Sequence, residues 1–199
     1  EKMNKKKSDL IIEALLFASP TPLNQSQLNQ VFDNSIPNLK EAIDRLNHFY
    51  SKHDRPYLIE PVAGGYQLVT KSNYDIWIRR LIGKSNKLTL SAAALDALAI
   101  IAYKQPIGRY DIEAIRGVDS SGVVKTLLSK NLIKIKGRGA GPGRPLLYST
   151  TKIFLEYFGI NHLSDMPKLK EVSELIDSDT NLGEQIEVFE RDGQSQNKN

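Results

Sequence analysis

The sequence predicts a mainly helical (α+β) protein with small β-hairpins, built from two similar units in tandem. Two observations support this: a residue pattern that occurs twice, and the order of apolar periodicities within each copy. The stretch LLFASPTPLNQSQL aligns with AIIAYKQPIGRYDI at an offset of 84 residues, so that Pro22 matches Pro106 and Leu23 matches Ile107. Two copies at so long a spacing indicate duplicated small domains, because a solenoid needs at least about three short repeats to bury a core.

Apolar residues at helical spacing predict three helices in the first copy. Ser8 is the predicted N-cap of the first helix, and Asn24 with Gln27 predicts a capping box at the start of the second. Pro37 is predicted in the first turn of the third helix, whose apolar stripe runs through residues 39–50.

A β-hairpin is predicted directly after these three helices. In YLIEPVAGGYQLVT, two β-prone runs flank Gly64 and Gly65, which is typical of a two-residue turn, and Pro61 indicates an edge position. Three helices followed by a hairpin is the order of a winged helix.

The second copy has the same predicted order. Helices are expected over residues 92–103, 109–116 and 120–130, with Gly117 ending the second of them. The runs LIKIKG and PLLYST then predict two antiparallel strands joined by GRGAGPGRP, which would be the wing. A last helix over residues 151–158 would close the unit.

The chain is therefore predicted to contain two tandem winged-helix domains and a tail. The expected boundaries are 8–82 for the first domain, 83–88 for a linker and 89–160 for the second domain. Residues 161–199 form an acidic tail that we expect to be flexible. Residues 171–192 contain eight acidic residues and one basic residue, a charge of −7, so the rest of the chain carries +11 against a total of +4.

Composition sets the class of protein. A chain of 199 residues with 40% hydrophobic content can build cores. It contains no run of about 18 apolar residues that would span a bilayer, and its start lacks the apolar segment of a secretory signal, so we expect a cytoplasmic protein without membrane contact. The absence of cysteine excludes thiolate catalysis, disulfides and cysteine zinc sites.

Motifs for enzymatic chemistry fail at named positions. A dinucleotide fingerprint starting at Gly137 or Gly139 meets Pro142 or Arg144 where the last glycine should be, and a phosphate-binding loop around GKS meets Ile78. The three histidines lack metal-site spacing: His48, His53 and His162. We therefore predict a non-enzymatic protein with no catalytic residues, no metal site and no cofactor.

Cationic residues cluster on the predicted wing and could contact phosphates: Lys134, Lys136, Arg138 and Arg144. The helix before the wing offers only Lys125 and Lys130, without the Arg, Asn or Gln side chains that read base edges. Protein binding is the favoured role of the two domains. A DNA-binding winged-helix protein or transcriptional regulator is the alternative, and weak, non-specific DNA contact is compatible with both.

Several stretches together resemble one family. The region from AIIAYKQPIGRYDI to TTKIFLEYFGI, preceded by IIEALLFASPTPL, is similar to the bacterial segregation and condensation protein B family, ScpB. The resemblance covers roughly residues 8–167, and YKQPI, IRGV, GRP and TTKIFLEYFG are its most specific pieces.

The resemblance implies a homodimeric adaptor in the Smc condensin complex. Such a protein dimerises mainly through its N-terminal domain and binds the kleisin ScpA, which in turn bridges the Smc ATPase heads. It would support chromosome condensation and segregation at the nucleoid in the cytoplasm without hydrolysing ATP.

The resemblance also indicates residues for partner binding. The positions matched for kleisin contact are Tyr103, Lys104, Gln105, Pro106, Arg109, Arg116, Arg138, Arg144 and Pro145. For dimerisation we expect aromatic residues of the first domain, because aromatic side chains anchor interfaces: Phe49, Tyr50 and Tyr57.

Overall fold

The computed structural model describes residues 5–32, 36–82, 90–140 and 143–168. By its contacts the chain divides into one unit of residues 1–163 and another of residues 164–199. Two winged-helix arrangements lie in the first unit. The predicted linker falls outside the described residues, as does most of the predicted tail, and the predicted domain boundaries stay a prediction.

The first arrangement contains four helices and a two-stranded hairpin within the described residues. Its elements are α1 (Lys5–Ala18), α2 (Gln25–Val31), α3 (Leu39–Lys52), β1 (Tyr57–Val62), β2 (Gly65–Thr70), a 3₁₀ turn (Ser72–Tyr74) and α4 (Asp75–Ile82).

The second arrangement follows the same order and adds a short strand after its first helix. Its elements are α5 (Ala92–Lys104), β3 (Ile107–Gly108), α6 (Arg109–Arg116), α7 (Ser121–Ser129), β4 (Ile133–Arg138), β5 (Leu146–Thr150) and α8 (Lys152–Phe158), followed by a 3₁₀ turn (Leu163–Asp165). The predicted fold class, mainly helical with small antiparallel sheets, is confirmed.

In each arrangement, one backbone pairing joins the segment after the first helix to the hairpin. In the first, Leu23 and Tyr66 exchange two backbone hydrogen bonds, both 2.8 Å long. In the second, Ile107 pairs with Tyr148 on β5, so the sheet has the order β3-β5-β4. Leu23 and Ile107 are the positions that the sequence repeat aligns.

Helix capping supports the repeat in the same way. The Asn24 side chain accepts from the Gln27 N–H at 3.0 Å, and the Gln27 side chain accepts from the Asn24 N–H at 2.9 Å. The predicted capping box is therefore confirmed. At the equivalent positions of the second copy, the Gly108 N–H donates to the Asp111 carboxylate at 3.3 Å.

Two local predictions about helix starts were wrong. Ser8 lies inside α1, where its hydroxyl donates to the Lys5 carbonyl at 2.8 Å, because the helix begins at least one turn earlier than its apolar stripe. Pro37 precedes α3: Asn38 is the N-cap, and its side chain accepts from the Glu41 N–H at 3.1 Å.

The first hairpin turns one residue earlier than predicted. Val62 pairs with Gly65, so the two turn residues are Ala63 and Gly64, with φ of 51° and 76°. Gly65 belongs to β2, where it is needed for close approach: a Cβ there would lie 2.9 Å from the Leu23 carbonyl oxygen and 3.0 Å from Pro22.

Each arrangement buries its own apolar side chains. In the first, these come mainly from α1, α2 and α3, and include Ile12, Leu16, Leu28, Leu39, Leu46 and Tyr50. In the second, they include Leu98, Ile101, Ile112, Leu127, Leu132 and Phe154. Within the first unit, the first hairpin also contacts the segment after α8: the Ala63 N–H donates to the Ile160 carbonyl at 3.1 Å, and the Gly64 N–H donates to the Asn161 side chain at 2.8 Å.

We expect Gly65→Ala to lower the free energy of unfolding by about 1–3 kcal/mol, because the added methyl group would press on the backbone that closes the sheet. Gly122→Ala is the matched control: a Cβ at Gly122 has nothing within 4 Å, and alanine favours a helix over glycine by about 1 kcal/mol. Urea unfolding of both variants checks this. Equal stability of Gly65→Ala and the unmodified chain would contradict the closure described above.

Candidate functional site

A groove of about 460 Å³ lies between α6, α7 and the β4–β5 hairpin, and we call it the wing groove. It is lined by Arg109, Tyr110, Ser121, Val124, Lys125, Leu128, Arg138, Gly143, Arg144, Pro145, Leu146 and Tyr148. Four of the nine residues predicted to contact a kleisin are among them: Arg109, Arg138, Arg144 and Pro145.

The wing groove combines apolar residues with cations. Val124 and Tyr148 are buried, and Leu128 and Leu146 are partly buried. Around them, Lys125 of α7 and the two arginines of the wing are exposed. The arrangement offers an apolar floor and charged side chains that reach into water.

The wing fixes the two arginines relative to each other. The Arg138 guanidinium donates to the Arg144 carbonyl at 3.2 Å, and the Gly139 N–H donates to the Pro145 carbonyl at 2.8 Å. Gly143 has φ of 75°, and Arg144 has φ of 42°, a left-handed conformation that costs a bulky residue about 1–3 kcal/mol. Gly143 therefore serves the turn that presents the two arginines.

Arg109 differs from the other three cations because it has acidic neighbours. Its guanidinium lies 3.7 Å from the Glu113 carboxylate, and its Cζ lies 5.1 Å from the centre of the Tyr110 ring. A hydrogen bond to Tyr110, and then the charge of Glu113, raise the pKa of Arg109 above its ordinary value. Nearby, the Ser121 hydroxyl donates to Asp119 at 2.6 Å, and this hydrogen bond is the main cause that lowers the pKa of Asp119.

The structure does not bring the other five predicted kleisin residues into the wing groove. The Gln105 side chain accepts from the Thr150 N–H at 2.8 Å and donates to the Ala102 carbonyl at 3.1 Å, so it ties α5 to β5. The Arg116 guanidinium donates to the Ser120 hydroxyl at 2.7 Å.

These two side chains therefore have structural roles in the second arrangement. The remaining three lie at the end of α5 and in the turn after it, outside the groove lining: Tyr103, Lys104 and Pro106. The peptide bond between Gln105 and Pro106 is cis.

Sequence reasoning did not assign Tyr110 and Lys125 to a partner site. Tyr110 is 68% exposed on α6. Lys125 follows Val124 on α7, and a helical wheel places it beside the apolar stripe of that helix. This position is the sequence signal that could have assigned Lys125 to the groove.

The first arrangement has an exposed apolar surface. A groove of about 440 Å³, here called the α1 groove, is lined by Leu10, Glu13, Ala14, Phe17, Tyr57 and Leu68. Phe17 is 82% exposed at its edge. Large apolar side chains left in water in this way mark interaction surfaces.

The three aromatic residues predicted for dimerisation form a connected row with different exposures. Their ring centres are 6.3 Å apart between Phe49 and Tyr50 and 4.9 Å apart between Tyr50 and Tyr57. Phe49 is 47% exposed and Tyr57 lines the α1 groove, whereas Tyr50 is 1% exposed. Tyr50 donates its hydroxyl to Glu13 at 2.9 Å, and its pKa is raised, first by burial and then by this hydrogen bond. Its side chain thus belongs to the core and supports the surface from inside.

Helix α4 was not predicted as an element and presents further apolar side chains to solvent: Ile76, Trp77, Leu81 and Ile82. None of its residues is buried. Among the described residues, no helix combines the length and apolarity needed to cross a bilayer.

Comparison with known proteins shows the family. A family model described as "Segregation and condensation complex subunit ScpB" matches residues 10–169. The chain belongs to this family. The prediction of a non-enzymatic subunit of the segregation and condensation complex is thereby confirmed.

Curated relatives agree with this assignment. Segregation and condensation protein B of Syntrophotalea carbinolica is 49% identical over 165 residues, which cover 83% of this chain and 83% of the relative. The protein of the same name from Clostridium tetani is 41% identical over 164 residues, which cover 82% and 87%.

Solved structures of similar proteins include ScpB from Mycobacterium tuberculosis, at 25% identity and a TM-score of 0.38, covering 80% of this chain and 99% of that one. Another is a dimer of a ScpB N-terminal domain complexed with a ScpA peptide, at 28% identity and a TM-score of 0.35, covering 38% of this chain and 95% of that one.

Proposed function

We propose that this chain is a homodimeric adaptor that binds the kleisin ScpA in the Smc condensin complex. Through ScpA it would act on the Smc heads and support chromosome condensation and segregation at the nucleoid. Family membership over residues 10–169 is the observation that carries the proposal. Two separate exposed surfaces, one apolar and one cationic, support it by offering room for two different partners.

The α1 groove is the proposed dimer surface. Tyr57 lines it, and the buried ring of Tyr50 lies between the rings of Tyr57 and Phe49, at 4.9 Å and 6.3 Å from their centres. Burial of the exposed apolar area of this groove against a second copy would stabilise the dimer by roughly 25 cal/mol for each Å² removed from water.

The wing groove is the proposed kleisin surface. Arg109, Arg138, Arg144 and Pro145 line it directly. Gln105 and Arg116 would contribute by holding α5, β5 and the start of α7 in place. Tyr103, Lys104 and Pro106 would enlarge the contact at the end of α5.

A second candidate function is weak, sequence-independent contact with DNA. Lys134 and Lys136 are exposed on the edge strand β4, and exposed cations on an edge strand can contact a phosphate backbone. If this contact forms, titration with a DNA duplex at two salt concentrations gives a log–log slope of about 0.9 per phosphate contact.

We expect the purified chain to be a dimer of twice its 22.3 kDa mass by light scattering at micromolar concentration. Phe17→Glu should convert it to a monomer, because a carboxylate on the α1 groove would have to be buried in the dimer interface without an opposite charge beside it. Ile115→Glu is the control, since Ile115 is similarly apolar and exposed but lies on α6 outside both grooves. A monomeric unmodified chain would contradict the proposed dimer.

The adaptor role predicts that ScpA and this chain co-elute as one complex in size-exclusion chromatography at micromolar concentration. The Phe17→Glu monomer provides a second arm of the experiment, because the wing groove belongs to a single chain and should retain ScpA. Separate elution of ScpA and the unmodified chain would remove the adaptor role.

A further inference from the structure

Three of the four cations that line the wing groove have no ion-pair partner among the described residues. Arg109 has Glu113 at 3.7 Å, but among the described residues no carboxylate lies within 4.0 Å of Lys125, Arg138 or Arg144. Three positive side chains thus border one concave surface without an acidic partner. Charge complementarity favours an acidic ligand there.

The floor of the groove limits what kind of acidic ligand fits. Val124, Leu128 and Leu146 offer apolar contact, and a volume of about 460 Å³ is in the range of pockets that take side chains or small ligands. A DNA duplex presents its phosphates along the backbone, whereas its apolar groups, such as the thymine methyl, lie inside the grooves and away from the phosphates. A peptide supplies both, an apolar side chain and carboxylates beside it.

The positions of the cations suit a peptide better than a phosphate backbone. Lys125 stands on α7 while Arg138 and Arg144 stand on the wing opposite, so the charges flank the apolar floor from two elements. Tyr110 adds an exposed aromatic ring at α6. In addition, α7 carries no Arg, Asn or Gln side chain that could read bases.

We propose that the wing groove binds an acidic peptide segment by one apolar side chain, with Lys125, Arg138 and Arg144 binding the carboxylates that flank it. The inference rests on the proposed function, because the segment is taken to belong to ScpA. It specifies the chemistry of that segment: an apolar residue with acidic residues close by on both sides.

The test compares two matched double variants. Lys125→Gln/Arg144→Gln removes two charges from the groove, whereas Lys134→Gln/Lys136→Gln removes two charges from the same winged helix outside the groove lining. All four side chains are exposed, and both variants are checked for the unmodified circular dichroism spectrum and melting temperature. Binding of purified ScpA is measured by calorimetry.

We expect the groove variant to weaken ScpA binding by about tenfold or more, since hydrogen bonds to charged groups contribute about 1.5–3 kcal/mol each when well formed. The control variant should change it less than about twofold, as expected of exposed charges. Added salt should weaken ScpA binding by the unmodified chain more than binding by the groove variant. The groove variant lacks the two ion pairs of Lys125 and Arg144, so salt has fewer charge interactions to screen.

Other outcomes overturn the inference in different ways. If ScpA binds and neither variant weakens it, the groove is not the site, although the adaptor role stands. If both variants weaken it equally, net charge alone is responsible. If the groove variant binds a short DNA duplex more weakly than the unmodified chain does, but binds ScpA equally well, a nucleic acid is the occupant. If ScpA does not bind the unmodified chain, the proposed function falls and the inference with it.

The apolar contact has its own readout. A photo-crosslinking amino acid at Tyr110, which lines the groove and is exposed, should attach to a ScpA peptide containing an apolar residue between acidic ones. A crosslink to a basic or uncharged segment would overturn the inference even if the charge variants behave as expected.

Discussion

The rest of the fold depends on one backbone pairing, made twice. After the first helix of each arrangement, the chain adds a very short strand to the hairpin, at Leu23 against Tyr66 and at Ile107 against Tyr148. A helix begins within two residues of each strand position, held by the side chain of its third residue. The pairing therefore sets both the place of the hairpin and the start of the second helix. Position 65 requires glycine, because the backbone of Pro22 and Leu23 lies too close to leave room for a Cβ atom.

With this framework fixed, the two copies differ in the surfaces that they expose. The first hairpin closes in two residues, Ala63 and Gly64, and leaves the apolar α1 groove as the main feature of its arrangement. The second hairpin has a longer, glycine-rich turn that carries Arg144 in a left-handed conformation beside the wing groove. Duplication followed by such divergence gives one chain two different exposed grooves: an apolar one, which we propose as the dimer surface, and a cationic one, which we propose as the ScpA surface. Neither surface needs reactive groups, in agreement with membership of a non-enzymatic family.

The sequence predicts those parts of the fold that local chemistry determines. The capping box at Asn24, the left-handed Gly117 that ends α6, and the repeat itself depend on neighbouring residues and could be read directly. The pairing of Leu23 could not, because a single residue has no periodicity. Periodicity also indicates that Tyr50 lies on the apolar stripe of α3, but not that its ring is fully buried. Burial depends on the packing of α1 against α3, which also brings Glu13, 37 positions away, to the Tyr50 hydroxyl.

The candidate site was predictable in part for a similar reason. The wing arginines stood out as charges in a glycine-rich turn, whereas the groove itself requires α6, α7 and the hairpin to come together.

Hydrogen exchange with mass spectrometry, on the chain alone and with ScpA, tests the central claim that a framework fixed by the two backbone pairings presents the wing groove to a partner. The account predicts that segments around Leu23, Tyr66 and Tyr148 are protected in both samples, and that the wing from Arg138 to Pro145 gains protection only with ScpA. Formation of the complex without any gain at the wing would contradict it.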